Sequence, residues 1–152
     1  QRQKSIALSS AEAEIVANHL VLSNLKGHDS HGVGMLVEYV RNVKRGVLFP
    51  QTAAQIELDA GSMIVANGGR GYGQRTCREA VMAAIKRAKQ LGVCVLSYRN
   101  GHHIGRIGTY GEMASEQGLV GLHFVNVVDE PPLVAPLLFN IELFIHTSCI
   151  MI

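Results

Sequence analysis

Apolar residues recur at helical spacing in two stretches near the amino terminus. The first stretch predicts a helix over about Ala11–Leu25, ended by Gly27. The second predicts a helix over about Val33–Arg45, ended by Gly46. Together they indicate a helical segment that occupies residues 1–50.

After residue 50 the pattern changes to short apolar runs separated by glycine-rich turns, which predicts alternating strands and helices. In chain order the predicted elements are two strands, a helix, a strand, a helix and a strand, at 56–58, 63–66, 76–91, 93–96, 108–117 and 119–125. The helix at 76–91 is predicted to end at Gly92, and its apolar period places four residues inward, namely Val81, Ala84, Ile85 and Ala88. The last strand–helix–strand unit favours parallel pairing of its two strands. The fold class is therefore mixed α/β, with a partial α/β domain over residues 51–136.

The final stretch, residues 137–152, is apolar and lacks turn-forming residues. An exposed segment of this kind promotes aggregation. We expect this segment either to be buried or to differ from the usual end of the fold.

Composition narrows the function classes. The chain has 152 residues, of which 47% are hydrophobic and 17% charged, with a net charge of +2. Its basic residues are scattered, which argues against nucleic-acid binding, and no apolar run is long enough to predict a membrane span. Cys77, Cys94 and Cys149 are widely separated, which is typical of reduced thiols in a cytoplasmic protein.

The densest polar cluster, Gly27-His28-Asp29-Ser30-His31-Gly32-Val33-Gly34, lies between the two predicted helices. Buried donors and acceptors need partners, so this cluster is more typical of a functional loop than of a core. An imidazole can give or take a proton near neutral pH, and His31 is the predicted proton-transfer residue. Two alternatives stay open. His28 and His31 could ligate zinc, or Asp29 or Ser30 could simply cap the second helix.

A second cluster, Asn100-Gly101-His102-His103-Ile104-Gly105-Arg106, follows the predicted strand at 93–96 and precedes a helix. Loops at the carboxyl ends of such strands bind ligands in open α/β sheets. The planar guanidinium of Arg106 suits a phosphate or a carboxylate. Taken alone, this loop could also be a solvated turn with a chance histidine pair. We expect it to face His31 across one cleft.

Other positions fit structural roles. The four glycines in the range 68–73 match neither the Rossmann nor the P-loop pattern and predict a turn that enters the next helix. His19 lies on an apolar helix face and His123 inside a strand, so both are expected in the core. Tyr39 lies about two turns into the second helix and could reach the pocket of His31, although a core tyrosine is more common.

The two histidine clusters resemble those of the malate/L-lactate dehydrogenase family, which is unrelated to the Rossmann dehydrogenases. The resemblance covers about residues 11–136 and includes Val43-Lys44-Arg45-Gly46 and Gly71-Tyr72-Gly73-Gln74. Because Met35 follows the first cluster and the second holds a double histidine, the chain is most similar to the bacterial 2-hydroxycarboxylate dehydrogenases.

This resemblance implies a non-Rossmann cofactor domain and a homodimer that uses NAD or NADP to interconvert a 2-hydroxy acid and a 2-oxo acid. By position, Ser30 belongs to a proton relay, and His31 gives or takes the proton at the substrate oxygen. The implied substrate contacts are His31, Tyr39 and His103, of which His103 also faces the reacting carbon as a third catalytic residue. The implied cofactor contacts are His103, Ile104, Gly105, Arg106 and Ile107.

The chain departs from the family pattern at two places. Many relatives have an arginine where this chain has Met35, so the partner of the substrate carboxylate stays open. Relatives also continue beyond Pro136 through a segment that supplies the acidic member of the relay, where this chain has residues 137–152. The resemblance therefore implies an amino-terminal half with an atypical apolar tail.

Three functions stay open on the sequence. The chain could be an active 2-hydroxyacid dehydrogenase. It could be a truncated, inactive fragment that acts at most as a structural or interaction module. It could also be a small metal-binding protein that uses His28, His31, His102 and His103.

Overall fold

The structure is a computed structural model and describes residues 9–125 and 147–151. Its helices and strands follow in the order α1 (Ser10–Leu25), α2 (Met35–Lys44), β1 (Gln55–Ala60), β2 (Met63–Asn67), α3 (Gly73–Leu91), β3 (Val95–Arg99), α4 (Gly108–Ser115), β4 (Leu122–Phe124) and β5 (Thr147–Met151). The predicted mixed α/β class is confirmed. Of the apolar segment 137–152, all but residues 147–151 lie outside the described residues. Within those described ranges, no helix has the length and apolar character needed to cross a membrane.

The described strands form one mixed sheet in the order β1-β2-β3-β5-β4. β1 and β2 form an antiparallel hairpin, and β2 pairs in parallel with β3 through the crossover helix α3. β5 lies between β3 and β4 and is antiparallel to both. The predicted direct pairing of the strands on either side of α4 is therefore wrong, because residues 147–151 take the place beside β3.

Helix α3 packs on β2 and β3 and forms the larger core. The residues predicted on its inward face are all buried, namely Val81, Ala84, Ile85 and Ala88. They join apolar side chains of the two strands, including Ile64 and Leu96. Burial of this kind is the main favourable term in folding, and here it fixes the end of β3 from which the second histidine loop emerges.

Helices α1 and α2 meet around a smaller core. It consists of Val16, Leu20, Tyr39, Leu48 and Tyr72. Glu12, in the first turn of α1, is only 1% exposed and accepts hydrogen bonds from Arg75 of α3 at 3.2 Å and from the Gln51 amide at 2.8 Å. A buried carboxylate needs such partners. These contacts hold the amino-terminal helices against α3.

Helix α3 begins at Gly73, earlier than the predicted start at Thr76. A Cβ at Gly73 would collide with the backbone carbonyl groups of His102 and His103. Glycine therefore lets the first turn of the helix lie directly against the second histidine loop. The glycine-rich stretch 68–73 is a turn, as predicted.

Candidate active site

The loop between α1 and α2 presents His31 at the end of a short 3-10 turn, Asp29–His31. The Ser30 hydroxyl lies 2.8 Å from His31 Nδ1, and the rings of His28 and His31 are 4.9 Å apart between centroids. Helix α2 begins after Gly34 without any side-chain cap. The alternative in which Asp29 or Ser30 caps this helix is therefore wrong.

Asn24, near the end of α1, holds this loop by two hydrogen bonds. Its side-chain amide donates to the Asp29 carboxylate at 2.5 Å, and its carbonyl oxygen accepts from the Val33 amide at 2.8 Å. A Cβ at Gly32 would collide with the Asn24 side chain. The carboxylate beside His31 thus serves to fix the loop rather than to cap a helix.

The second histidine loop follows β3 and is held by side chains from distant parts of the chain. His103 Nδ1 lies 2.7 Å from the hydroxyl of Tyr39, which is completely buried. The Gln74 side-chain amide donates to the same hydroxyl at 2.5 Å. Next to it, His102 Nε2 lies 3.2 Å from the Asn42 side-chain nitrogen. The two helices that supply these partners, α2 and α3, therefore determine where His103 lies.

His19 holds the other end of this loop. It is 6% exposed, as expected for a core residue, but its Nε2 also accepts a hydrogen bond from the Arg106 backbone amide at 2.9 Å. Gly105 has φ 77°, and a Cβ there would collide with the His19 ring. The hydroxyl of Tyr110 donates to the Ile104 carbonyl at 2.5 Å. The loop is therefore fixed from both sides.

The structure brings His31 and His103 together, with ring centroids 5.0 Å apart. The two residues are 72 positions apart in the chain (103 − 31), and the predicted meeting of the two clusters is confirmed as geometry. Tyr39 lies close to them, with its ring centroid 5.9 Å from that of His103. Among the side chains of residues 9–125, none is paired with Nε2 of either His31 or His103. Both imidazoles therefore keep one nitrogen for a ligand.

Burial sets the charge state of these groups. It lowers the pKa of His103 to about 4, helped by the neighbouring imidazoles of His31 and His102. Burial and the adjacent His28 lower the pKa of His31 below its usual value. Burial raises the pKa of Tyr39 to about 12. At neutral pH the site therefore holds uncharged imidazoles and a protonated phenol.

Arg106 makes contacts different from those that its sequence position suggested. Its guanidinium donates to the Glu112 carboxylate at 2.7 Å, and Lys26 contacts the same carboxylate at 2.6 Å. Its Nε is buried and has no hydrogen-bond partner among the described residues. The predicted contact of Arg106 with an anionic cofactor group stays a prediction.

The described residues contain no group of three or more histidine, cysteine, aspartate or glutamate side chains arranged to hold a metal ion. The metal-binding alternative gains no support from the geometry. A groove of about 340 Å³ lies between α1, α3 and α4, and neither His31 nor His103 lines it. His123 is half-buried in β4, away from the facing imidazoles, and neither ring nitrogen has a partner within the part of the chain that the structure describes.

A sequence profile of the malate/L-lactate dehydrogenase family matches residues 3–144. The chain belongs to this family. It is 44% identical over 125 residues to hydroxycarboxylate dehydrogenase B of Escherichia coli O157:H7, covering 82% of this chain and 34% of that protein. It is 42% identical over 124 residues to L-lactate dehydrogenase of Cupriavidus necator, covering 82% and 36%.

The fold comparison agrees. The solved structure of a candidate malate/lactate dehydrogenase from E. coli superposes with a TM-score of 0.76 at 40% identity, covering 78% of this chain and 33% of that chain. This member of the malate/L-lactate dehydrogenase family thus spans about a third of the length of the relatives that it matches.

The site roles of three residues were not predicted from the sequence. Gln74 and Asn24 were not singled out, and His19 was predicted only as a core residue. Asn24 and His19 each bind a loop that carries a candidate catalytic histidine, and Gln74 binds the Tyr39 hydroxyl that contacts His103. Of the three, only His19 could have been recognised from the sequence as a residue with a polar contact, because a histidine on a buried helix face needs a hydrogen-bond partner.

Proposed function

We propose that this chain carries the proton-transfer part of a 2-hydroxyacid dehydrogenase site. The reaction interconverts a malate- or lactate-like 2-hydroxy acid and the corresponding 2-oxo acid, with NAD or NADP. The observation that carries the proposal is the meeting of His31 and His103, each with a free Nε2, in a member of a family of malate and L-lactate dehydrogenases.

His31 is the proposed proton donor and acceptor. Its pKa is lowered, so the neutral ring can take the proton from a substrate hydroxyl during oxidation. In the reverse direction a protonated His31 neutralises the negative charge that develops on the carbonyl oxygen. An anionic substrate nearby raises the pKa of the imidazole and so favours this protonated form.

Ser30 is the proposed relay residue. Its hydroxyl lies 2.8 Å from His31 Nδ1 and can either donate to or accept from this nitrogen. It can therefore stabilise His31 in both protonation states. The hydrogen bonds from Asn24 hold the loop that carries both side chains.

The loop from His103 to Ile107 is the proposed cofactor contact. The support for this contact is the family membership together with the place of the loop, which follows β3 and sets His103 beside His31. Bound NAD or NADP supplies the hydride chemistry. The chain's own residues position the substrate and move its proton.

The alternative is an inactive fragment that acts at most as a structural or interaction module. It is favoured by one observation, namely that the chain spans about a third of its relatives' length. Relatives would then supply from their remaining length the groups that complete the reaction.

The experiment titrates NADH and NADPH into the folded chain and follows nicotinamide fluorescence, and then measures turnover of short 2-oxo acids. We expect saturable cofactor binding and turnover. His31→Ala should abolish turnover while cofactor binding persists, and Lys44→Ala, which changes an exposed side chain at the end of α2, is the control. An intact fold without cofactor binding would favour the fragment, and equal turnover in His31→Ala would contradict the role of His31.

A further inference from the structure

We propose that Tyr39 and Gln74 are positioning residues that hold His103 as the tautomer with its proton on Nε2. His103 then meets the substrate as a hydrogen-bond donor, while His31 alone carries the transferred proton. The division of roles rests on the proposed function, but the tautomer itself does not.

The direction of the hydrogen bonds around the Tyr39 hydroxyl determines the tautomer of His103. A neutral imidazole has one donor nitrogen and one acceptor nitrogen, and a phenol has a single proton to donate. The Gln74 amide donates to the Tyr39 oxygen, so the phenol proton is free to point elsewhere. The other described hydrogen-bonding neighbour of this hydroxyl is His103 Nδ1, at 2.7 Å. Nδ1 is therefore the acceptor, and the imidazole proton lies on Nε2.

The reverse chain of hydrogen bonds is less favourable. For His103 to carry its proton on Nδ1, the Tyr39 proton must either be left buried without an acceptor or go to Gln74, whose amide group must then turn over. In the present arrangement the unpaired atom is the Gln74 carbonyl oxygen, whereas the turned amide would leave its nitrogen, with two N–H donors, unpaired instead. A buried unpaired N–H group is rarer in proteins than an under-satisfied carbonyl.

Burial reinforces this arrangement. Tyr39 is fully buried and Gln74 is 1% exposed, so water does not compete for the hydroxyl. The Tyr39 hydroxyl already has two protein partners, which means that it acts on a substrate through His103 rather than directly. The His103 ring that carries this Nε2–H lies beside the His31 ring, with centroids 5.0 Å apart.

A fixed donor at this place has a chemical consequence. During reduction of a 2-oxo acid, negative charge grows on the carbonyl oxygen, and an N–H group held in advance stabilises this charge without reorganisation. The same donor suits the substrate carboxylate. Since Met35 offers no charge to that carboxylate, a donor on His103 supplies a polar contact that Met35 cannot make.

The test is nitrogen NMR of the chain labelled with ¹⁵N-histidine, at neutral pH, with His103→Gln to assign the signals. We expect His103 to show an unprotonated, pyridine-like Nδ1 and a protonated Nε2. Tyr39→Phe should yield a mixture of both tautomers, and Gln74→Met should shift His103 in the same direction. Tyr72→Phe is the matched control, because its ring contacts Tyr39 at 5.7 Å between centroids and it should leave the tautomer unchanged.

A protonated Nδ1 in the unmodified chain would overturn the proposal, and so would a Tyr39→Phe spectrum identical to it. The first result needs only the assignment variant His103→Gln, so it holds even if Tyr39→Phe or Gln74→Met prevents folding. Absence of turnover, by contrast, would count against the proposed function but would not affect the conclusion on the tautomer, which the NMR spectrum decides. Where turnover is present, Tyr39→Phe should lower kcat and shift the pH profile, whereas Tyr72→Phe should not.

Discussion

The two histidine loops are held in opposite ways. The loop of His31 depends on its neighbours in the chain, since Ser30 is adjacent to His31 and Asn24 lies five residues before Asp29. The loop of His103 depends on residues far away, with Tyr39 64 positions before His103 and His19 87 positions before Arg106. The first loop therefore needs only local contacts to form, whereas the second is fixed only when the helices have packed. Local contacts hold the proposed proton carrier, and contacts across the fold hold the proposed donor.

The substitution expected to have the largest effect on stability is Gly73→Ala, which acts on the second loop. The new Cβ would collide with the backbone carbonyl groups of His102 and His103, which cannot turn aside as a side chain could. We expect the free energy of unfolding to fall by about 3 kcal/mol. Gly34→Ala is the control in the first loop, because Gly34 has helical φ and nothing within 4 Å of the new atom, and its effect should stay within about 0.5 kcal/mol. Urea unfolding followed by circular dichroism measures both, and equal losses would show that the second loop does not depend on this contact.

The next largest loss of stability is expected from alanine substitutions at two glycines with a left-handed backbone conformation. Gly27 in the first loop has φ 74° and open space around it, while Gly105 in the second has φ 77° and touches His19. Backbone strain alone should make Gly27→Ala cost about 1 kcal/mol. The added collision should bring Gly105→Ala to about 2–3 kcal/mol. Thermal unfolding of the two variants measures both losses of stability. Equal losses would mean that the His19 ring moves away from the new Cβ at little cost.

The pH dependence of stability tests the contribution of His19, which holds the second loop. Burial, followed by the nearby Arg106 and His31, lowers the pKa of His19 to about 4 in the folded chain, against about 6.5 when unfolded. The unfolded chain therefore takes up the proton first, so the stability supplied by neutral His19 is present above pH 6.5 and is lost as the pH falls towards 4. Between pH 7 and pH 5 this should remove about 1–2 kcal/mol.

The control for this prediction exchanges the histidine. His19→Gln keeps an acceptor for the Arg106 amide but cannot titrate, so its unfolding free energy should fall less steeply between pH 7 and pH 5. Asn18→Gln, at an exposed position of the same helix that does not titrate, should keep the slope of the unmodified chain. Identical slopes for His19→Gln and the unmodified chain would refute the role of His19. Part of the slope should remain in either case, because the pKa of His103 is also lowered to about 4.

The smallest effect is expected for Asn24→Ala. Its hydrogen bonds to Asp29 and Val33 are exposed, so their loss should cost about 1 kcal/mol or less. Hydrogen exchange of the Val33 amide should become faster, while the amides of the second loop keep their protection. Asn18→Ala, an exposed position on the same helix, is the control. Faster exchange at Arg106 would show that the two loops are coupled more tightly than their contacts indicate.

The parts that the sequence predicted are those governed by local physics. Helical spacing and a terminal glycine located α1, α2 and α3, and the inward face of α3 followed from its apolar period. The two polar clusters were found because so many hydrogen-bonding groups rarely share a core. Their meeting was expected, and the structure confirms it.

The parts that were missed depend on long-range packing. The partner of Tyr39 lies 64 residues away, and no local pattern shows that its hydroxyl joins Gln74 to His103. The strand beside β3 comes from residues 147–151, so the pairing predicted from chain order was wrong. The early start of α3 at Gly73 depends on the approach of the His102 and His103 carbonyl groups. Such contacts arise only from the assembled fold.

The central claim is that His31 and His103 form one site for a short 2-oxo acid beside a nicotinamide. It is tested most directly by adding NADH and oxamate, an unreactive analogue of a 2-oxo acid, to the ¹⁵N-histidine-labelled chain. We expect the Nε2 signals of both residues to shift together and to saturate at the same oxamate concentration. Shifts confined to one of the two histidines, or saturation at different concentrations, would contradict it.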